Sequence, residues 1–226
     1  MTPKGIAPAK GSSTVRQDVL KFRQHDEGLC GLYTIVNALS ALFPERMTHV
    51  KGAVLVSRLA EAVPGDMRSI IQEGTDREQM DVMLQAARSW TDEQHWPPWE
   101  CRPMHPVHGE HAHALWDTVC AVLDGGAGKK KRGRHAAGHA SGLPASQGIA
   151  HLPGLAQGQS AIALVGFGDY HHESTFYEPH WTCVERVTPR MLFLRDSDEY
   201  TRIPRAETGV RPEDGWEIED CYILTR

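Results

Sequence analysis

No run of apolar residues in this chain approaches the length needed to cross a bilayer, so no membrane partner is expected. The first sixteen residues, 1–16, hold Gly, Pro, Ser, Lys and Ala but lack the apolar core of a signal peptide, and they read as a flexible tail. Charge of one sign is also scarce. With 24 Lys and Arg against 29 Asp and Glu, the net charge is only −5, which gives no reason to expect nucleic acid as the main partner. Five cysteines (Cys30, Cys101, Cys120, Cys183, Cys221) are odd in number and form no closely spaced pair. That argues against a disulfide framework and for a reducing, cytoplasmic location.

What remains is ordinary globular composition: 226 residues, 40% hydrophobic and 23% charged, enough to bury a real core. One stretch stands out. Gln24-His25-Asp26-Glu27-Gly28-Leu29-Cys30-Gly31 runs into Leu32, Ile35, Val36 and Leu39, the spacing of a buried helix face. Gly28 permits a tight backbone, and Cys30 falls at the first turn of the helix. A thiol there meets unpaired N–H groups and the positive end of the helix dipole, both of which favour the thiolate. Gln24 is six positions upstream, within reach of a loop that folds its amide back toward the sulfur. A side-chain amide and a backbone N–H beside a thiolate are the parts of an oxyanion hole.

The first half of the chain reads as helical. The Cys30 helix should stop near Pro44. A second helix is expected from Val50 to Val63, with Val54, Leu55, Leu59 and Val63 as its stripe. A third, capped by Thr75 or Asp76, carries Met80, Met83, Leu84 and Ala87 on one face. Trp96-Pro97-Pro98-Trp99 is too proline-rich for a helix and reads as an ordered loop. A fourth helix is expected from about Ala112 to Leu123, ended by Gly125-Gly126. Residues 125–158 change character: nine of the thirty-four are glycine, and Lys129 to Arg134 supplies five positive charges. A solvated surface loop is the favoured reading, over a patch for nucleic acid or an acidic partner.

The second half reads as strands, at Ala161 to Phe167, Trp181 to Val187, Arg190 to Arg195 and Cys221 to Leu224, the middle two joined at Thr188-Pro189. Helices followed by antiparallel strands imply α+β. The expected organisation is a single domain over 17–226, with a helical lobe at about 17–124, the basic loop, and a β lobe at about 159–226.

A nucleophile needs a base. His180 stands at the start of one hairpin strand and Asp196 at the end of the next, and symmetry about position 188 sets the two roughly opposite. A carboxylate on one imidazole nitrogen fixes the tautomer and frees the other for the thiol proton. Gln24, Cys30, His180 and Asp196 are thus a complete set for acyl transfer through a thioester, with no cofactor or metal required.

These residues carry a resemblance. Gln24-x5-Cys30-Gly31, the helix with Asn37-Ala38-Leu39, His180-Trp181 and Asp196 together resemble the papain-like cysteine peptidases, most of all the bacterial C39-like group. The resemblance implies a helical lobe bearing the cysteine and a β lobe bearing the histidine. In it Gln24 is the oxyanion amide, Cys30 the nucleophile, His180 the base and Asp196 the orienter. The implied activity is a cysteine peptidase cleaving a peptide or isopeptide bond in a protein or peptide substrate. The alternatives are an acyltransferase or deubiquitinase-like use of the same groups, and an inactive module that binds peptide in the cleft.

Each residue also has a plainer role open to it. Cys30 could be a buried structural cysteine, but the ordered company of Gln24, His180 and Asp196 disfavours that. His171 and His172 rival His180 and lie in an apparent exposed loop; Asp198 rivals Asp196. Trp181 could cover the His–Asp hydrogen bond or simply fill the core. Asp26 and Glu27 read as loop charges. His105, His108, Glu110, His111 and His113 are spaced so that they could bind zinc or nickel. Pro106 and Gly109 interrupt them, and exposed histidines are the favoured reading in a chain with thirteen. Substrate identity and oligomeric state do not follow from the sequence.

Overall fold

The apolar series after Cys30 closes into a helix buried on nearly every side, α1 (Cys30–Leu42), in which only Tyr33 and Ala41 escape full burial. A helix apolar all round belongs in the centre of a fold, and the rest of the chain packs about it. In a computed structural model, residues 21–23, 28–65, 67–104, 114–124, 160–169, 178–197, 200–208 and 216–226 are described. The N-terminal tail, the basic loop and the His105–His113 cluster lie outside these residues.

Three helices follow α1: α2 (His49–Ala62), α3 (Met67–Glu73) and α4 (Arg77–Glu93). Thr48 caps α2 by accepting from Lys51 N. Asp76 caps α4 in a capping box, its carboxylate accepting from Gln79 N at 2.8 Å while Gln79 accepts from Asp76 N at 2.9 Å. The expected stripes are buried at Leu55 and Leu59 on α2, with Val63 just after it, and at Met80, Met83, Leu84 and Ala87 on α4. Val54 is the exception and faces solvent. Helix α3 is too short to show an apolar period and was not expected.

The remaining elements are β1 (Glu100–Pro103), α5 (Ala114–Asp124), β2 (Ala161–Asp169), β3 (Glu178–Thr188), β4 (Met191–Arg195), β5 (Arg202–Pro204) and β6 (Trp216–Thr225). They form one six-stranded sheet of order β1-β6-β2-β3-β4-β5, antiparallel throughout. The class is α+β. The C-terminal strand is therefore interior, between β1 and β2. Two expectations need correction. β1 falls in the stretch read as helical, and α5 does not join the other helices.

The sheet divides the interior in two. Ile162, Leu164, Trp181, Cys183, Tyr222 and Leu224 face α1 to α4. Ala163, Val165, Phe167, Val184, Cys221 and Ile223 face α5, which contributes Leu115, Trp116, Val119 and Val122. The alternation is the two-residue period of a strand. It is reset by bulges, at Glu185 in β3 and at Glu219 in β6, where the register skips a residue. Helix and sheet are also tied by polar contacts. Tyr222 Oη donates to Asp81 Oδ1 at 2.8 Å, joining β6 to α4, and Arg226 meets Glu45 at 3.0 Å just beyond the end of α1.

Candidate active site

Cys30 is the first residue of α1 and is buried. The residue in the N-cap position is Leu29, whose side chain makes no capping hydrogen bond, and the first turn carries no acidic residue. Helices α2 and α4 show that caps are available elsewhere in this fold. At α1 Leu29 offers none, so its own side chain does not compete for the first-turn N–H groups beside the sulfur. Close packing explains the flanking glycines. A Cβ on Gly28 would stand 2.7 Å from the carbonyl oxygens of both Ile70 and Ile71. One on Gly31 would stand 2.6 Å from Thr75 Oγ1.

The chain entering this loop is anchored as well. Asn37, fully buried in the middle of α1, accepts from Phe22 N at 2.7 Å and donates to Phe22 O at 2.9 Å. The Phe22 ring lies over Gly52, where any Cβ would overlap it, and stands edge-on to His49 with ring centres 5.6 Å apart. Gln24 itself, with His25, Asp26 and Glu27, lies outside the described residues, between these anchors at Phe22 and Gly28.

His180 and Asp196 meet. His180 Nε2 and Asp196 Oδ2 are 2.9 Å apart, with Asp196 fully buried and 12% of the His180 side chain exposed. The route differs from the one expected. β3 and β4 turn at Pro189-Arg190, and with the Glu185 bulge Cys183 faces Arg195. Extended by one position, that register sets Thr182, not His180, opposite Asp196. The His–Asp contact is therefore a diagonal one, two residues along the same strand face. Asp198, His171 and His172 lie outside the described residues.

Cys30 lies close enough to His180 to act on the imidazole. Asp196 occupies Nε2, which leaves Nδ1 for the sulfur. Burial alone would push the imidazole down. The hydrogen bond to Asp196 and the nearness of Cys30, with the charges behind them, outweigh it and hold His180 at about 10 against an ordinary 6.5. The imidazolium is the favoured form through neutral pH. At three other cysteines burial dominates: with the charge of Asp81 added, it pushes the Cys101 thiol up to about 12. Burial likewise raises Cys183 and Cys221.

His180 stands where the two interiors meet. Cys30 reaches it from the helical side, while Phe167 and Tyr200 lie against its ring at 5.2 and 5.0 Å between centres. Trp216 backs both of these aromatics, at 5.2 Å from Phe167 and 5.5 Å from Tyr200. Trp181 belongs to the helical-side core. Its indole lies over Gly166 and donates through Nε1 to Thr75 O at 2.7 Å. The rings packed on His180 were missed because they come from strands and a loop distant in sequence. Thr34 was missed too; its Oγ1 donates to Trp181 O at 2.7 Å.

Compared with known proteins, the chain matches no family model and no curated protein. Among the described residues, no cluster of three or more His, Cys, Asp or Glu could hold a metal ion, and no helix is long and apolar enough to cross a membrane.

Proposed function

We propose that the chain is a papain-like cysteine peptidase that cleaves a peptide or isopeptide bond through a thioester. The observation that carries this reading is the series Cys30–His180–Asp196, in which Asp196 bonds the imidazole at 2.9 Å and Cys30 acts on it from the start of α1, a helix N-terminus whose cap residue makes no side-chain hydrogen bond. A structural cysteine needs neither a buried carboxylate nor an imidazole raised above neutral pH. Together they are what a thiolate nucleophile requires.

In this reading the ground state is a Cys30 thiolate beside a His180 imidazolium. The sulfur attacks the scissile carbonyl carbon, a C–S bond forms, and the carbonyl π pair moves to oxygen. N–H groups of the first turn stabilise that oxyanion, and the Gln24 amide supplies the further donor. His180 Nδ1–H gives its proton to the departing amine as the C–N bond breaks, leaving a thioester. Water then attacks the thioester while His180 takes its proton. The C–S bond breaks, the acid leaves, and the thiolate–imidazolium pair is restored. Asp196 holds Nε2 throughout, so that Nδ1 faces the sulfur.

A degenerate peptide library incubated with the protein and read by mass spectrometry tests the proposal. New termini should appear with wild type and be absent with Cys30→Ala. The same product profile from both proteins would rule the reading out.

A further inference from the structure

Cys30 and His180 lie 150 positions apart, on elements with no covalent reason to be in register. What registers them is Trp181, the neighbour of His180, which is gripped at two points. Its carbonyl accepts the Thr34 hydroxyl at 2.7 Å, a fully buried bond from a residue one helical turn beyond Cys30. Its indole donates to Thr75 O at 2.7 Å. Thr75 in turn packs so tightly on Gly31 that no side chain fits there. Both paths start in the first two turns of α1 and end on the residue after His180.

Within the sheet β3 is held by an unbroken ladder to β2, with Gly166 opposite Trp181 and Phe167 opposite His180, but that ladder does not set the distance of the strand from α1. Its pairing with β4 carries a bulge at Glu185, which bends the strand beyond this point. A Thr in mid-helix ordinarily bonds back to its own helix or to water. Thr34 reaches across to the sheet instead, and does so at the level of the Cys–His pair.

We propose that Thr34 is a positioning residue: its bond to the Trp181 carbonyl sets the separation of Cys30 and His180 and so the strength of the ion pair between them. The inference rests on the peptidase reading above. Among the described residues, the groups that face the pair are Asp196 at Nε2, each partner for the other, and the Phe167 and Tyr200 rings. None of these is touched by a change at Thr34.

The test uses the alkylation rate of Cys30 by iodoacetamide, mapped by mass spectrometry, in wild type, Thr34→Val and Thr34→Ser. Valine keeps the shape and loses the donor; serine keeps the donor. At about pH 6, well below the free-thiol range near 8.5, the rate reports the thiolate held by His180. At about pH 9.5 the thiolate forms without help, and the rate reports access alone. Thr34→Val is expected to slow alkylation about 10-fold at the lower pH, the scale of a small misplacement, with no change at the higher. Thr34→Ser should recover most of the loss. An unchanged profile in Thr34→Val, or an equal loss at both pH values, would overturn the proposal while leaving the peptidase reading in place. Should Thr34→Val not fold, Thr34→Ala read against Thr34→Ser carries the same comparison. If wild type itself shows no enhanced reactivity at about pH 6, both proposals fall together.

Discussion

At the scale of single residues, the charge state of His180 has a consequence for stability. Its pKa is raised from 6.5 to about 10 in the folded chain. A raised basic group adds stability in full below its unfolded value and loses it as pH climbs through the folded value. The His180 contribution is thus complete below pH 6.5 and fades between there and about 10. Urea unfolding of wild type and His180→Ala should show a gap in midpoint that narrows steadily over that range. A gap that is constant, or that widens with pH, would mean the folded imidazole is not held protonated. The residue scale is also where sequence is most informative. Cys30, His180 and Asp196 could be named because a nucleophile, a base and an orienter have few chemical substitutes. Phe167, Tyr200 and Thr34 could not, since nothing about an isolated Phe, Tyr or Thr signals which distant group it will touch.

At the scale of elements, the helix that bears Cys30 is held by contacts that its own apolar pattern does not reveal. Gly31 shows the difference. In the sequence it is only the neighbour of Cys30 in a motif, and in the structure it is an ordinary helical position. It is needed because Thr75, at the head of α4, leaves no room for a Cβ. Gly31→Ala should therefore cost about 1–3 kcal/mol by overpacking, rather than give the gain of about 1 kcal/mol expected of Gly to Ala inside a helix. Denaturant unfolding decides between the two signs. Helix ends and stripes were legible where a capping residue and a long period coincide, as in α4 with Asp76 and Gln79. Strand register was less so. The turn at Pro189-Arg190 and the Glu185 bulge moved the pairing by two positions from simple symmetry, and a bulge leaves no mark in composition. His180 still reaches Asp196 because a two-residue shift keeps both side chains on one face.

For the molecule as a whole, the α+β class followed from helical periods in the first half and short apolar runs in the second. The assignment of each element to a layer did not. Helix α5 is amphipathic like α2 and α4, but it covers the opposite face of the sheet. β1, four residues long and largely exposed, has no period to read. The same layering sorts the cysteines. Cys183 and Cys221 are sealed in the sheet, Cys101 is held up at about 12 beside Asp81, and Cys30 is set beside His180. A small electrophile offered to the whole protein should discriminate sharply among them.

The most direct test is therefore site-resolved labelling of the intact chain with an epoxysuccinyl compound or iodoacetamide. It would run from about pH 5 to about pH 8, below the ordinary thiol range, with His180→Ala and Asp196→Ala in parallel. The account predicts that Cys30 is modified first and already at the acidic end, that His180→Ala removes this acidic reactivity, and that Asp196→Ala weakens it. Labelling spread evenly over the cysteines, rising only toward the free-thiol range and indifferent to His180→Ala, would contradict it.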